Sequence, residues 1–229
     1  MEIILRNNYN CKKKINVEEG IIISLQASNL NAIVNNLLND YKFININNNQ
    51  MYFVGENVYE EINLYNKIYN LSLINDVLNI LGLDDSFFNK KIENLSYTEK
   101  IYLNIIRNLS LDNKKVLFYD VYNYLDYANQ KKIKNLLLYL KDKKYIILIT
   151  SNDVNVLYKL ADYSVLWNKN NFEYSKTDDL YSDVEKLLKF KLEVPILSKI
   201  TYKALKDKNI KLFYSKDVRD IIKDIYKHV

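Results

Sequence analysis

Lys115-Val116-Leu117-Phe118-Tyr119-Asp120-Val121-Tyr122-Asn123-Tyr124-Leu125-Asp126 is a short apolar run that ends in a carboxylate and passes into a polar, tyrosine-rich turn. Val116, Leu117 and Phe118 offer no polar side-chain atom to either face. Such a run reads as a strand covered by helices on both sides. Downstream, the apolar positions of residues 129–140 fall at helical spacing, and residues 145–150 (Tyr-Ile-Ile-Leu-Ile-Thr) form a second buried run. Strand, helix and strand at this separation predict a βαβ unit with parallel strands and a right-handed crossover.

The same alternation extends outward. Residues 99–111 predict an amphipathic helix carrying Ile101, Leu103, Ile105, Ile106 and Leu109. Residues 57–82 read as helical, stopped by Gly82, and residues 45–49, rich in asparagine, read as a loop. Residues 1–25 read as strands, with Ile21-Ile22-Ile23 the most deeply buried, and residues 29–41 as a helix with Leu30, Ile33, Val34, Leu37 and Leu38 on one face. Beyond Thr150, residues 154–160 predict a helix and residues 164–167 a strand holding the single Trp167, which reads as core. After about residue 180 only helices are expected, over 182–190, 194–205 and 217–226, with Pro195 in the first turn of the second. The expected organisation is an α/β domain over 1–180, its helical subdomain at about 57–112, and a helical extension over 181–229.

Composition bounds the function. The 229 residues are 48% hydrophobic and 27% charged, enough for a sizeable core. The net charge of +5 is scattered among carboxylates, which speaks against a nucleic-acid face, and the 21 tyrosines form no stripe of stacking rings. Lys12-Lys13-Lys14, the densest N-terminal cluster, reads as a solvated face rather than a phosphate contact. Cys11 is alone, so no internal disulfide forms and a reducing compartment is the simpler expectation. The sole histidine, His228, stands next to the last residue, so neither a zinc cluster nor a Ser-His-Asp set can be assembled. No charged leader with an apolar core opens the chain, and no apolar stretch approaches the roughly 20 residues needed to span a bilayer.

Several segments in order resemble an ABC-type ATPase. Ile92-Glu93-Asn94-Leu95-Ser96-Tyr97-Thr98-Glu99 stands where that family has its L-S-G-G-Q signature. The run from Lys115 to Asp126 resembles the Walker B strand and D-loop, and Ile147-Leu148-Ile149-Thr150-Ser151-Asn152 the switch strand. Leu160-Ala161-Asp162-Tyr163-Ser164-Val165-Leu166 matches the A-D run that follows. Asp120 lies 24 positions after Ser96, and Ser151 lies 31 after Asp120; both separations suit the family. Val58-Tyr59-Glu60-Glu61-Ile62 resembles the segment after the Q-loop. The tail from Leu192 through Val218 is similar to the C-terminal extension of energy-coupling factor (ECF) transporter ATPases. The resemblance implies a P-loop NTPase-like fold with a helical subdomain. It also implies ATP and Mg²⁺ as ligands, dimeric pairing, and a cytoplasmic place at the inner face of the membrane.

Against that pattern the chemistry thins out. A phosphate-binding loop needs G-x-x-x-x-G-K-[ST], the glycines so that backbone N–H groups can curl around phosphate, the lysine for charge and the hydroxyl for Mg²⁺. The corresponding junction is Leu25-Gln26-Ala27-Ser28-Asn29-Leu30-Asn31-Ala32. Leucines replace both glycines, Asn31 the lysine and Ala32 the hydroxyl residue, and Leu30 is expected to meet a positive φ that a bulky side chain resists. Asp120 matches the carboxylate that orients Mg²⁺ in the family; the plain reading is a strand-end aspartate capping the next turn. Val121 stands in place of the glutamate base and has no proton acceptor. Ser151 stands in place of the switch histidine. Tyr97 and Thr98 replace the signature glycines, while Ser96 is kept and would face ATP bound by an opposite subunit. Asn47 and Gln50 are both candidates for the Q-loop glutamine.

The candidate site residues are therefore Asn29 and Asn31 at the altered loop, Ser96 in trans and Asp120 for Mg²⁺, with no catalytic residue. The resemblance implies an intact ABC ATPase subunit and a membrane-embedded transporter component as partners, and no nucleic acid. The alternatives are a soluble interaction or scaffold protein with an inherited fold, and an active but divergent ATPase.

Overall fold

The computed structural model describes residues 1–7, 11–47, 51–65, 71–111, 113–169 and 171–227. Strands β1 (Glu2–Arg6) and β2 (Lys12–Asn16) form an antiparallel pair. Six strands form the main sheet: β3 (Ile21–Ala27), β4 (Ile44–Asn47), β5 (Lys115–Tyr119), β6 (Ile146–Thr150), β7 (Tyr163–Asn168) and β8 (Asn171–Lys176). Their order is β4-β5-β6-β3-β7-β8, parallel throughout except for the β7–β8 pair. The predicted β5–helix–β6 unit is present, with helix α5 spanning Tyr127–Asp142 between strands in parallel register.

Period-two alternation divides the sheet between two cores. Val116 and Phe118 of β5, with Ile147 and Ile149 of β6, join α5 and the helices α2 (Val58–Tyr65), α3 (Leu71–Leu81) and α4 (Tyr97–Leu109). Leu117 and Leu148 point the other way, into a core with Val165, Trp167, α1 (Leu30–Tyr41) and the β1–β2 pair. A third cluster joins α6 (Val154–Leu160) to the C-terminal helices α7 (Thr177–Ser182), α8 (Val184–Lys189), α9 (Ile196–Lys208) and α10 (Val218–Ile225). Asp162 ties the sheet together: its carboxylate accepts from Ile22 N at 2.9 Å and from the Lys141 ammonium at 2.6 Å. That structural duty accounts for the A-D run.

Several expectations need correction. Residues 44–47 are a strand, not a loop; Ile44 and Ile46 are buried and pair with β5, an alternation hidden by the intervening asparagines. The stretch 57–82 contains two helices, α2 and α3, and Gly82 follows the second at φ +68° as a left-handed stop. The expected helix 182–190 divides at Asp183, whose carboxylate accepts from Lys186 N at 2.9 Å and so starts α8 afresh. Pro195 caps α9 from just outside its first turn. Strand β8 went unpredicted because polar residues alternate with Phe172 and Tyr174. Lys13 of β2 sits over the Phe172 ring, consistent with a strand surface.

Candidate functional site

The altered loop joins β3 to α1. Leu25 is fully buried on β3, and Leu30, the first residue of α1, packs against the same core. Both leucines that replace glycines thus serve the hydrophobic face. Leu30 is not among the residues with positive φ, contrary to expectation: the chain turns at Ser28 and Asn29 (φ −122°) and enters the helix directly. Ser28 N donates to Trp167 O at 3.0 Å, fastening the turn to β7. Asn29 occupies the N-cap position without capping through its side chain. A shallow hollow of 250 Å³ remains, lined by residues 27–32.

Asn31 projects from the first turn of α1, and its amide oxygen accepts a hydrogen bond from the Tyr119 hydroxyl at 3.0 Å. Tyr119 ends β5, so Asn31 is joined to the strand that precedes Asp120. Burial, and then the neighbouring Asp120 carboxylate, push the Tyr119 phenol above its ordinary pKa, so it stays a neutral donor. Asp120 follows in the left-handed region at φ +54°. Its amide donates to Thr150 at both O (3.3 Å) and Oγ1 (3.1 Å). Its side chain does not cap the next turn, Val121–Tyr124; the backbone carbonyl takes Asn123 N at 3.3 Å instead. Burial raises the Asp120 pKa, and a hydrogen bond with the Asn123 side chain works the other way. Ser151 donates to Asn123 Oδ1 at 3.1 Å.

Asn31, Tyr119, Asp120, Asn123, Thr150 and Ser151 therefore satisfy one another across the ends of β5 and β6. Tyr119, Asn123 and Thr150 were not singled out from sequence, since nothing in an isolated tyrosine announces a bond to a residue 88 positions away. No cluster of three or more metal-ligating side chains occurs among the described residues.

Ser96 lies in a separate group. Its hydroxyl accepts from Glu99 N at 3.2 Å and Glu99 Oε2 accepts from Ser96 N at 2.9 Å, a capping box that starts α4. Lys90 pairs with Glu99 at 2.6 Å and is the main reason its carboxyl sits below the usual glutamate value. Tyr97 meets Tyr124 edge-to-face, centroids 6.0 Å apart, so a ring contact joins the start of α4 to the turn that follows β5. Asn47 ends β4, where its carbonyl accepts from Asn104 Nδ2 at 3.0 Å. Gln50 and His228 lie outside the described residues.

A third group lies beneath residues 52–55. Glu61 of α2 is fully buried and pairs with Arg107 of α4 at 2.6 Å. Its other oxygen accepts from Val54 N at 2.7 Å and Gly55 N at 2.9 Å. Arg107 also donates to Tyr52 O at 2.8 Å and stacks over Phe53. Above this clamp, Tyr52 (78% exposed), Val54 (74%) and Tyr59 (62%) present apolar surface. No helix among the described residues is long and apolar enough to cross a membrane.

No family model and no curated protein matches the chain. Solved structures do. CbiO1 from Clostridium perfringens, part of the ABC transporter complex CbiONQ, is 13% identical with a TM-score of 0.63, over 88% of this chain and 98% of that one. An ATP-binding subunit of an ABC transporter is 12% identical, TM-score 0.64, over 83% and 98%. The ATP-binding cassette MJ0796, in a dimeric post-hydrolysis state bound to ADP and Pi, is 15% identical, TM-score 0.59, over 77% and 99%. The chain has the fold of an ABC transporter ATPase.

Proposed function

We propose that this chain is a degenerate ATP-binding-cassette subunit, non-catalytic or weakly ATP-binding, that partners an intact ATPase in an ECF-type importer. The observation that carries the reading is the altered loop. No cation occurs from Leu25 to Ala32, and the Asn31 amide is engaged by Tyr119. ATP and Mg²⁺, the ligands of this fold, do not suit these residues. Several phosphate charges would meet neutral side chains, and burial raises the Asp120 pKa. Val121 is buried and carries no acceptor, so no general base follows Asp120. Phosphoryl transfer depends almost wholly on positioning and charge, and both are missing together. The Tyr97–Tyr124 contact adds bulk where an opposite subunit's nucleotide would approach.

Partnership is supported by the exposed surface over the Glu61–Arg107 clamp. Tyr52, Val54 and Tyr59 offer a rigidly held apolar patch to a membrane-embedded component, and the C-terminal helices offer a contact to the ATPase partner. The structural relatives include a subunit of a transporter complex and a dimeric cassette, in keeping with this arrangement. The protein would sit at the cytoplasmic face of the membrane, held there by its partners.

The test is a titration with Mg-ATP, first of the purified chain and then of the chain co-expressed with a neighbouring ABC ATPase and polytopic membrane protein. The expected results are no micromolar binding by the chain alone and co-purification with both partners. Micromolar binding by the lone chain would overturn the degenerate reading.

A further inference from the structure

A cationic hollow is lined by none of residues 25–32. It lies between α5 and α6, has a volume of 410 Å³, and carries Lys131 and Lys134 on one wall and Lys159 on the other. Lys131 and Lys134 are three positions apart on one helix, which makes them surface neighbours. All three lysines are exposed, and among the described residues none forms an ion pair, a hydrogen bond or a ring contact. The one carboxylate in this hollow, Asp153, is already used: it accepts from Asn155 N and Nδ2, both at 2.8 Å, as the cap of α6. Three like charges around a concave space with one engaged counter-charge leave a local excess of positive potential.

Tyr122 adds a second, independent observation. It is 5% exposed and lines this hollow and an adjoining one of 590 Å³ that continues toward Glu193. Its hydroxyl has no hydrogen-bond partner among the described residues. The hydroxyl has less than 1 Å² of accessible surface, so an acceptor in the hollow reaches it only once the Tyr122 side chain rotates; that acceptor would then relieve the desolvation cost of the unpartnered phenol. Burial also holds its pKa above the ordinary tyrosine value, so the group is a donor and not a phenolate. The Glu193 end has the opposite sign, which confines an anion to the lysine end. The volume suits a small organic molecule.

We propose that the groove between α5 and α6 binds a small organic polyanion, whose phosphate or carboxylate groups are taken by Lys131, Lys134 and Lys159 and by the Tyr122 hydroxyl. This site is independent of the altered loop and does not rest on the reading of that loop. Since Tyr122 belongs to the turn that follows Asp120, the ligand would seat beside the segment leading to Tyr124 and Asp126.

The test is isothermal titration of the full chain with pyrophosphate and with citrate at constant ionic strength. Saturable one-to-one binding is expected, with a dissociation constant below about 1 mM. Binding of pyrophosphate alone identifies a phosphorylated ligand, of citrate alone a carboxylated one, and of both an oxyanion in general. Reversing the three lysines (K131E, K134E and K159E together) is expected to weaken binding at least about tenfold, and Tyr122→Phe about three- to tenfold. The lysine changes are at exposed positions and leave the fold intact; a K131Q, K134Q and K159Q triple should give an intermediate loss. No saturable binding of either probe overturns the proposal. So does binding that survives charge reversal, or binding lost on Asn31→Ala instead.

Discussion

Residues 25–32 and residues 52–61 are two segments that each lead into a helix, and their electrostatics are opposite. The first has no ionised side chain at all, and its amides at Gln26 and Asn31 accept from the hydroxyls of Tyr181 and Tyr119. The second keeps a fully buried carboxylate matched to a guanidinium and two backbone amides. An ion pair removed from water is costly to create and more costly to break, so it persists where the chain must hold one shape. Residues 25–32 carry no such pair, and Leu25 and Leu30 pack into the apolar core instead. The buried charge constraint lies at residues 52–55, and residues 25–32 carry none.

The contrast is most severely tested at Glu61. Glu61→Ala removes the buried carboxylate beside Arg107, whose side chain is 16% exposed, and frees two amides, and should cost about 3–5 kcal/mol. Urea denaturation measures it; a loss below 1 kcal/mol would mean that the clamp holds nothing. Gly55→Ala comes next. A Cβ there would lie 2.7 Å from Glu61 N, a backbone atom that cannot swing aside, so a loss of about 1–3 kcal/mol is expected. Ser96→Ala removes one half of the capping box and should cost about 1 kcal/mol by the same measurement. Within residues 25–32, Asn31→Ala deletes a single neutral hydrogen bond at an exposed residue and should shift stability by no more than about 0.5–1 kcal/mol.

The smallest effect is one of sign. A carboxyl whose folded pKa is raised makes folding weaken as pH climbs from the unfolded value through the folded one. Asp120→Asn removes that dependence, and asparagine tolerates the left-handed φ. The variant should melt higher than the parent at pH 7 and converge with it as pH falls toward 4, in thermal scans across that range. Convergence in the opposite direction would mean that Asp120 is stabilised as an anion.

Much of this was legible in sequence, and unevenly. The β5–α5–β6 unit could be read because buried parallel strands leave an unbroken apolar run. The absence of lysine and glycine from residues 25–32 is a fact of the sequence alone. The strand at Ile44–Asn47 could not, because asparagine composition masked a period of two. The reach of Tyr119 to Asn31 and of Glu61 to Arg107 could not either: each joins positions far apart in the chain, and only the packed fold brings them together. Ser96 was legible as a residue, while its engagement as a helix cap depends on Glu99 turning back toward it.

Trp167 is the only indole in the chain, and its carbonyl anchors the turn at Ser28. Its ring is 2% exposed, in the core against which Leu25 and Leu30 pack. A single fluorophore therefore lies beneath the turn that joins β3 to α1. Its emission maximum and quenching by acrylamide would register a ligand, a loosened α1 or a docked partner at that face without any label being added.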